Sequence, residues 1–472
     1  MAHRPAHRRI QATAIDFQAL RRELELPSQF PAAAQAEAEK AAQEVKLPPL
    51  DRTGIAFVTI DPPDSLDLDQ AVCLSRREGG GYRVYYAIAD VAAYVTPGGE
   101  LETQTWRRGQ TVYLPDGNVP LHPRVLSESA ISLLPGQDRA AMLWTIDVSA
   151  DGDTEAVTLE RARVRSRAKL HYAGVQSDAE RGALPEPIAL LPELGELLTA
   201  RALARGAINL PMPSQEVEPD GDGYRLVLRP LVPAETWNAQ ISLLTGCAAA
   251  QIMLTGRIGL LRTMPAAPGA ALARLRVAAK GLGVSWPDGH TIGQVLAAID
   301  PNTPRSAAFV DEAAELMRGA GYTAFSDVVP DEPAHAAVAA PYAHVTAPLR
   351  RLADRYATEA CLALFEGREV PDWVAAALPR LPEVMSATDR VAGAAERGAI
   401  DLVEATVLAH RVGETFSAVV LDAEEKRPMA TIAIEDPAVR ARCEGRLTPG
   451  SRAEVRLIVA DPVKRQVKFA AA

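Results

Sequence analysis

Three aspartates within nine residues, Asp61, Asp67 and Asp69, form the group of side chains in this sequence best suited to chemistry. Carboxylates held about 4 Å apart repel each other by roughly 4 kcal/mol per pair at an effective dielectric near 20. A protein that gathers them needs positive charge nearby, and hard divalent cations prefer oxygen ligands. The spacing therefore predicts a metal site. An ordinary solvated turn is the alternative, since Asp, Pro and Ser are common turn residues.

The segments on either side of the aspartates are apolar. Residues 54–60 and 71–74 are rich in β-branched and apolar side chains, which predicts two strands. A turn containing Pro62 and Pro63 joins them and can gather the carboxylates at one edge of a sheet. A calcium loop is excluded, because the glycine that such a loop requires is missing after Asp67.

Composition places the chain among ordinary globular proteins. Its 472 residues suggest roughly three domains, and 48% of them are apolar. No apolar run reaches the ~18 residues of a membrane span, since the nearest, residues 241–254, is interrupted by polar residues and glycine. The four cysteines are widely separated, which favours a reduced, cytoplasmic protein. The formal charge of −10 argues against bulk attraction to nucleic acid but permits a local basic channel.

The chain divides into parts of different pattern. Residues 1–50 predict a small helical segment, with helices over 17–26 and 32–45. From residue 51 to about 410 the pattern is α/β, with a strand over 82–89, strand-rich sequence to about 170, and mostly helices beyond it. The predicted helices of this second half include residues 192–205, 235–258, 269–283 and 309–321.

Residues 411–472 change character again. Short strand patterns occur at residues 415–421, 429–434, 453–459 and 466–469, separated by Asp-Pro and Pro-Gly turns. This spacing predicts a small barrel, and its many Lys and Arg residues favour an OB-type nucleic-acid module. A generic barrel with solvated charges is the alternative, because acidic residues nearly balance the basic ones and only Phe416 and Phe469 could stack on bases.

A second group of reactive side chains lies near residue 350. A helix is predicted to begin near Thr346, with Pro348 in its first turn, and to end near Gly367. Arg350 and Asp354 are four residues apart and could form a weak helical ion pair. An arginine near a helix N-terminus can instead bind phosphate together with backbone N–H groups.

Several motifs occur in one order along the chain, and that joint order is more specific than any one of them. They are Asp61-x5-Asp67-x-Asp69, Ala87–Asp90, Val112–Pro115 and Thr346–Arg351, with further agreement at residues 166–170 and 205–207. In these motifs the chain resembles the ribonuclease II (RNB) family of exoribonucleases. The resemblance implies a multidomain α+β fold: an RNB-type catalytic domain of mixed sheet and helices over 51–410, a C-terminal OB-fold barrel over 411–472 and the helical segment 1–50.

The resemblance also implies a function. Family members remove nucleotides one at a time from the 3′ end of RNA, processively, and release nucleoside 5′-monophosphates. Mg²⁺ is the implied cofactor, with Mn²⁺ as a substitute, at one or two ions per site. The implied partner is RNA, and we expect a monomer without an obligate protein partner or membrane contact.

Site residues follow from the resemblance position by position. Arg350 is implied to stabilise charge on the scissile phosphate, and Tyr113 to clamp the 3′-terminal base. The implied catalytic residues are Asp69 and Arg350. The implied metal ligands are Asp61, Asp67, Asp69 and Gln70. The implied RNA-binding residues are Tyr113, Arg351 and Glu396.

The chain departs from the family pattern in three places. Gln70 replaces the second of two adjacent aspartates; an amide oxygen can bind a metal but brings no negative charge, so the number of ions stays open. Gln240 stands where the central helix usually has an acidic residue. The two cold-shock-type barrels that usually precede the catalytic domain have no counterpart before residue 51, so a restriction to single strands is not assumed.

Two other functions remain compatible with the sequence. An RNA-binding regulator could keep this fold without hydrolysis, as the loss of an aspartate at Gln70 suggests. A nuclease acting on DNA is the other alternative, since only contacts to the 2′-hydroxyl distinguish the two substrates. The leading hypothesis is a magnesium-dependent 3′→5′ exoribonuclease.

Overall fold

The computed structural model describes residues 15–220, 223–229, 231–300, 303–424 and 426–472, so the first 14 residues of the predicted N-terminal segment lie outside it. The α-helices are α1 (Gln18–Glu23), α2 (Ala32–Glu44), α3 (Glu100–Arg108), α4 (Tyr172–Glu180), α5 (Leu191–Arg205), α6 (Pro233–Gly256), α7 (Gly269–Leu282), α8 (Ile292–Ala298), α9 (Pro304–Ala314), α10 (Leu352–Phe365), α11 (Asp372–Ala375) and α12 (Leu381–Leu408). The strands are β1 (Phe57–Ile60), β2 (Gln70–Arg76), β3 (Tyr82–Ala89), β4 (Val112–Leu114), β5 (Gly117–Val119), β6 (Asp138–Val148), β7 (Thr154–Leu170), β8 (Ser214–Asp220), β9 (Gly223–Arg229), β10 (Ile258–Thr263), β11 (Gly321–Ser326), β12 (Ala334–His335), β13 (Ala340–Pro341), β14 (Thr415–Ala423), β15 (Met429–Ile434), β16 (Val439–Glu444), β17 (Arg452–Asp461) and β18 (Gln466–Ala471).

A closed barrel of strands β1-β2-β3-β6-β7 occupies the first part of the described chain. Neighbouring strands are antiparallel except β1 and β7, which pair in parallel and close the barrel. Val72 and Leu74 of β2 belong to one buried cluster, whereas Ala71 and Cys73 belong to another. Both faces of the strand are therefore covered. The predicted mixed sheet is confirmed. The sheet closes into a barrel, which local sequence patterns did not predict.

Helices α6 and α10 cover one side of this barrel and share a buried cluster with Val72 and Leu74. By length and composition α6 is apolar enough to cross a membrane. In the structure it packs against α5, α10 and β10, and several of its side chains are fully buried, including Ile241 and Met253. A core position of this kind accounts for its apolar character.

Gly246 of α6 lets the segment before residue 346 lie directly on the helix. A Cβ atom at this position would lie 2.2 Å from Cε2 of Tyr342 and 2.6 Å from the carbonyl oxygen of Ala343. The Ala343 N–H donates to the Gly246 carbonyl at 3.1 Å. Helix α6 therefore fixes the chain that leads to Thr346.

The predicted C-terminal barrel is confirmed. Strands β14-β15-β16-β18-β17 close it, and β16 is the strand that the sequence patterns missed. Helices α1 and α12 pack on this barrel, with Phe17 and Leu20 in the same cluster as Phe416. Helix α2 instead packs against α3, and its Ala38 joins the cluster of the first barrel. The two N-terminal helices thus cover different cores.

Within the described residues, three strand pairs interrupt the region predicted as mostly helical. They are the antiparallel pairs β8-β9, β10-β11 and the short β12-β13. The helix predicted over residues 309–321 is observed as α9, which begins at Pro304 and ends at Ala314. Residues 321–326 form strand β11. The predicted helices at 192–205, 235–258 and 269–283 are confirmed as α5, α6 and α7.

The segment near residue 350 differs from its prediction. Helix α10 begins at Leu352, and residues 346–351 form a turn that precedes it. The Asp354 carboxylate explains the difference, because it accepts the Ala347 N–H at 2.7 Å and the Arg351 guanidinium at 2.8 Å. The alternative in which Asp354 pairs with Arg350 is therefore wrong.

We predict that Gly246→Ala destabilises the protein by about 1–3 kcal/mol, because the added methyl group cannot fit beside Tyr342 without moving it. Gly281→Ala is the matched control, since it is also a helical glycine but a Cβ atom there meets nothing within 4 Å. Urea unfolding monitored by fluorescence measures both variants. Equal midpoints for Gly246→Ala and the parent protein would contradict the packing described above.

Candidate active site

The loop of residues 61–69 lies at the end of the first barrel, between β1 and β2. The Asp61 N–H donates to the Leu170 carbonyl at 3.1 Å, and the Asp69 carbonyl accepts the Ala89 N–H at 2.9 Å. Both ends of the loop are thus fixed to neighbouring strands, β7 and β3. Asp67 lies between the two other aspartates along this loop, and its charge raises the pKa of both.

Two side chains hold the middle of this loop. The Lys169 ammonium, at the end of β7, donates to two loop carbonyls, at 2.5 and 2.6 Å. The fully buried Ser132 binds the backbone on both sides of Asp67: its hydroxyl donates to the Leu66 carbonyl at 2.6 Å and accepts the Leu68 N–H at 3.0 Å. These contacts fix the position from which Asp67 extends.

Asp69 joins the loop to the turn of residues 346–351. Its Oδ1 accepts the Leu349 N–H at 2.8 Å, and its Oδ2 lies 3.5 Å from Nε of Arg350. The Asp69 side chain is 6% exposed, whereas that of Arg350 is 43% exposed. The arginine therefore rests on a buried carboxylate and presents the rest of its guanidinium to the surface.

The turn itself is held by several elements. The Arg350 carbonyl accepts the Thr111 N–H at 3.0 Å, and Nε2 of His122 lies 3.3 Å from the Pro348 carbonyl oxygen. Burial lowers the pKa of His122 to about 4. The imidazole is therefore neutral near pH 7, and it can donate its single N–H to this carbonyl.

The site is short of positive charge. Burial is the main cause that raises the pKa of Asp61 to about 6 and that of Asp69 to about 8, and in both cases Asp67 adds to the rise while Arg350 opposes it. Carboxylates in this condition bind a proton or a cation. The electrostatics of the loop therefore favour a bound divalent ion.

The donor set fits a magnesium ion. Within the described ranges, no three His, Cys, Asp or Glu side chains are arranged to hold a metal by themselves. Mg²⁺ usually keeps several waters and binds through one or two carboxylates plus substrate phosphates. Asp61 and Asp67 supply such a pair, while Asp69 already accepts the Leu349 N–H.

The predicted RNA-binding residues lie in different settings. The half-exposed Tyr113 is at the site, and its hydroxyl donates to Oδ2 of Asp67 at 3.2 Å. The largely buried Arg351 is committed to Asp354 through two hydrogen bonds of 2.8 and 2.9 Å. Glu396 is exposed on α12. Its neighbour Ala395 packs in the same buried cluster as Val112 and Leu114, which flank Tyr113 in β4.

Tyr172 and Asn238 belong to the site but were not found from the sequence. The carbonyl of Leu170, two residues before Tyr172, accepts the Asp61 N–H at 3.1 Å, so Tyr172 follows directly on a contact with the acidic loop. Burial raises the pKa of Tyr172, and the charge of Asp61 adds to the rise. The amide of Asn238, on α6, donates to the Tyr172 hydroxyl at 3.3 Å. Gln240, noted above as a departure in the central helix, is two residues further along α6. Tyr172 follows β7, which pairs in parallel with β1. Local sequence patterns do not reveal this pairing, so they give no sign that Tyr172 lies close to Asp61.

Two family models match this chain. The RNB domain model matches residues 50–364, and that of the RNase II-type exonuclease C-terminal S1 domain matches residues 414–472. Exoribonuclease 2 of Vibrio vulnificus is 34% identical over 192 residues, which cover 39% of this chain and 28% of that protein. The chain thus aligns with less than a third of that relative's length.

Solved structures share the fold. The apo form of Mycoplasma genitalium RNase R superposes with a TM-score of 0.85 at 20% identity, covering 97% of this chain and 77% of that one. The same relative has been solved with ribose-methylated single-stranded RNA and with double-stranded RNA. Yeast Ssd1, a pseudonuclease, superposes with a TM-score of 0.69 at 16% identity, covering 90% and 53%. Because the RNB model matches more than half of the sequence, the chain belongs to the RNB domain family, with an S1-type barrel at its C-terminal end.

Proposed function

We propose that this protein is a metal-assisted 3′→5′ exoribonuclease that degrades RNA processively to nucleoside 5′-monophosphates. The observation that carries the proposal is the buried Asp69, which binds the Leu349 N–H and supports an exposed Arg350 beside Asp61 and Asp67. Membership of the RNB family and the names of its relatives, exoribonuclease 2 and RNase R, support the same activity.

Each side chain has a role that its geometry allows. A bound magnesium ion would supply Lewis-acid assistance to phosphodiester hydrolysis. Arg350 contacts Asp69 through Nε, so its terminal amino groups can bind the phosphate and offset the charge that develops there. Water would form a new bond to phosphorus as the bond to the 3′-oxygen breaks, and the shortened RNA would leave with a protonated 3′-hydroxyl. The phosphate stays on the released nucleotide, which accounts for a 5′-monophosphate product. The exposed ring of Tyr113 offers a stacking surface for the terminal base, worth ~1–3 kcal/mol for any base.

An RNA-binding regulator without hydrolysis is the second candidate. Two observations favour it: the amide at Gln70 and the structural likeness to the pseudonuclease Ssd1. The retained Asp61, Asp67, Asp69 and Arg350 favour the enzyme.

Incubation of 5′-labelled RNA with the protein and Mg²⁺, with and without EDTA, separates the two candidates. For the enzyme we expect a ladder of products that shorten from the 3′ end until a short fragment remains. EDTA should prevent this degradation. Matched DNA is the control for substrate class, since an RNA enzyme should leave it intact. RNA that stays intact in both Mg²⁺ and Mn²⁺ would refute the exoribonuclease and leave the regulator.

Two substitutions test the catalytic assignments. Asp69→Asn and Arg350→Ala should each lower kcat by about 10²–10³-fold while RNA affinity changes little, because both act on charge that develops during the reaction. Single-turnover rates and filter binding measure the two quantities. Asp64→Asn is the control: it removes one charge from an exposed position of the same loop and should keep the parent rate. Normal turnover by either test variant would remove that residue from the mechanism.

Lys169→Met should weaken the metal site without removing it. Loss of the two bonds to the loop carbonyls frees Asp67, and we expect the Mg²⁺ concentration for half-maximal activity to rise about tenfold. Saturating Mg²⁺ should restore most of kcat. Arg167→Met is a matched control from the same strand end, because Arg167 donates to the Thr53 carbonyl instead of the loop. A lower kcat at every Mg²⁺ concentration, with an unchanged midpoint, would contradict the positioning role.

A further inference from the structure

Gln70 connects two parts of the site through both ends of its amide. The side-chain nitrogen donates to the Thr346 carbonyl at 2.6 Å, and the side-chain oxygen accepts the Tyr86 hydroxyl at 2.6 Å. A carbonyl can only accept a hydrogen bond, so the nitrogen must face Thr346 and the oxygen must face Tyr86. The oxygen that could bind a metal is thereby engaged within the protein.

Strand geometry assigns the Gln70 side chain to one face of β2. Successive side chains of a strand point to opposite faces. Gln70 shares a face of β2 with Val72, which lies in one cluster with Tyr86 and residues of α6, whereas Ala71 lies in the cluster on the other face.

The partner of Gln70 is the first residue of the turn that carries Arg350. Thr346 is held twice, by the Gln70 amide at its carbonyl and by the Ser242 hydroxyl, whose oxygen lies 2.8 Å from the Thr346 hydroxyl. The bridge needs one donor and one acceptor, which an amide provides. An ionised carboxylate at position 70 could accept from Tyr86 but would face the Thr346 carbonyl with a second acceptor.

We propose that Gln70 is a positioning residue for the turn of residues 346–351 and is not a metal ligand, so that the chain without RNA binds one divalent cation, through Asp61 and Asp67. The role of the turn rests on the function proposed above. The ion count does not, because it can be measured without catalysis.

The ion count is tested on the full chain without RNA, with Mn²⁺ as the probe and electron paramagnetic resonance to separate free from bound ion. We expect one bound ion in the parent protein, and one in Gln70→Met with a Kd within about twofold. A matched Asp67→Asn variant should lose the ion. Two ions in the parent protein, or binding at least about tenfold weaker in Gln70→Met, the loss typical of a disrupted metal site, would overturn the proposal.

Kinetics test the positioning role. Gln70→Met should lower kcat about tenfold at saturating Mg²⁺ and leave the Mg²⁺ midpoint unchanged, as expected when a supporting contact is lost. Gln70→Glu keeps the side-chain length but loses the donor, so it should be impaired as well. A ligand would behave in the opposite way: methionine would raise the Mg²⁺ midpoint, and glutamate would match or exceed the parent rate.

Tyr86→Phe provides a further check on folding and on the bridge. It removes one hydroxyl from a buried position, and its effect on kcat should not add to that of Gln70→Met, because both break the same bridge. Additive losses would overturn the proposal. If the parent protein cleaves no RNA, the proposed function fails, while the Mn²⁺ count still decides whether Gln70 is a ligand.

Discussion

The hydrogen bond from the Leu349 N–H to Asp69 is the interaction on which the site depends, and it joins residues 280 positions apart. A carboxylate that is 95% buried is costly unless donors or cations compensate it. The backbone N–H of the turn and the guanidinium of Arg350 provide part of this compensation, although the pKa of Asp69 stays raised. The contact with Asp69 fixes the position of the Arg350 side chain. The acidic loop and the turn are therefore two halves of one structure, and neither has its functional shape without the other.

The turn keeps its shape because it is prevented from becoming helical. Asp354 is fully buried and accepts hydrogen bonds from both the Ala347 N–H and the Arg351 guanidinium. These bonds keep residues 346–351 out of the helix, so α10 begins only at Leu352. A buried ion pair of this kind is weak evidence for stability but can define one geometry. Further contacts from β2, α6 and the chain at His122 hold the same few residues. The supports come from elements far apart in sequence, so the rigidity of the site derives from the whole fold.

Much of this arrangement could be predicted from local patterns. The strands beside the aspartates and the recurrent strands of the C-terminal barrel follow from side-chain period and turn residues, which act over a few positions. The start of α10 could not, because Thr346 and Pro348 both favour a helix start and only the buried Asp354 changes the outcome. Lys169 was noticed as part of a motif, yet its contacts to the loop depend on the parallel pairing of β1 and β7. Gln70 was likewise recognised as a departure, but its partners Tyr86 and Thr346 are set by tertiary packing.

The proposed function would couple metal binding to substrate binding. In the proposed mechanism two carboxylates are too few to satisfy a magnesium ion, and the phosphate of the RNA supplies further oxygen ligands. Linkage then requires that RNA raises the affinity for the ion by the same factor as the ion raises the affinity for RNA. This coupling would matter for a chain with a formal charge of −10, because bulk attraction cannot hold a polyanion such as the proposed RNA substrate. In the proposed mechanism, Arg350 and a bound ion would supply the positive charge at the point of reaction, where it would meet the backbone common to every RNA sequence.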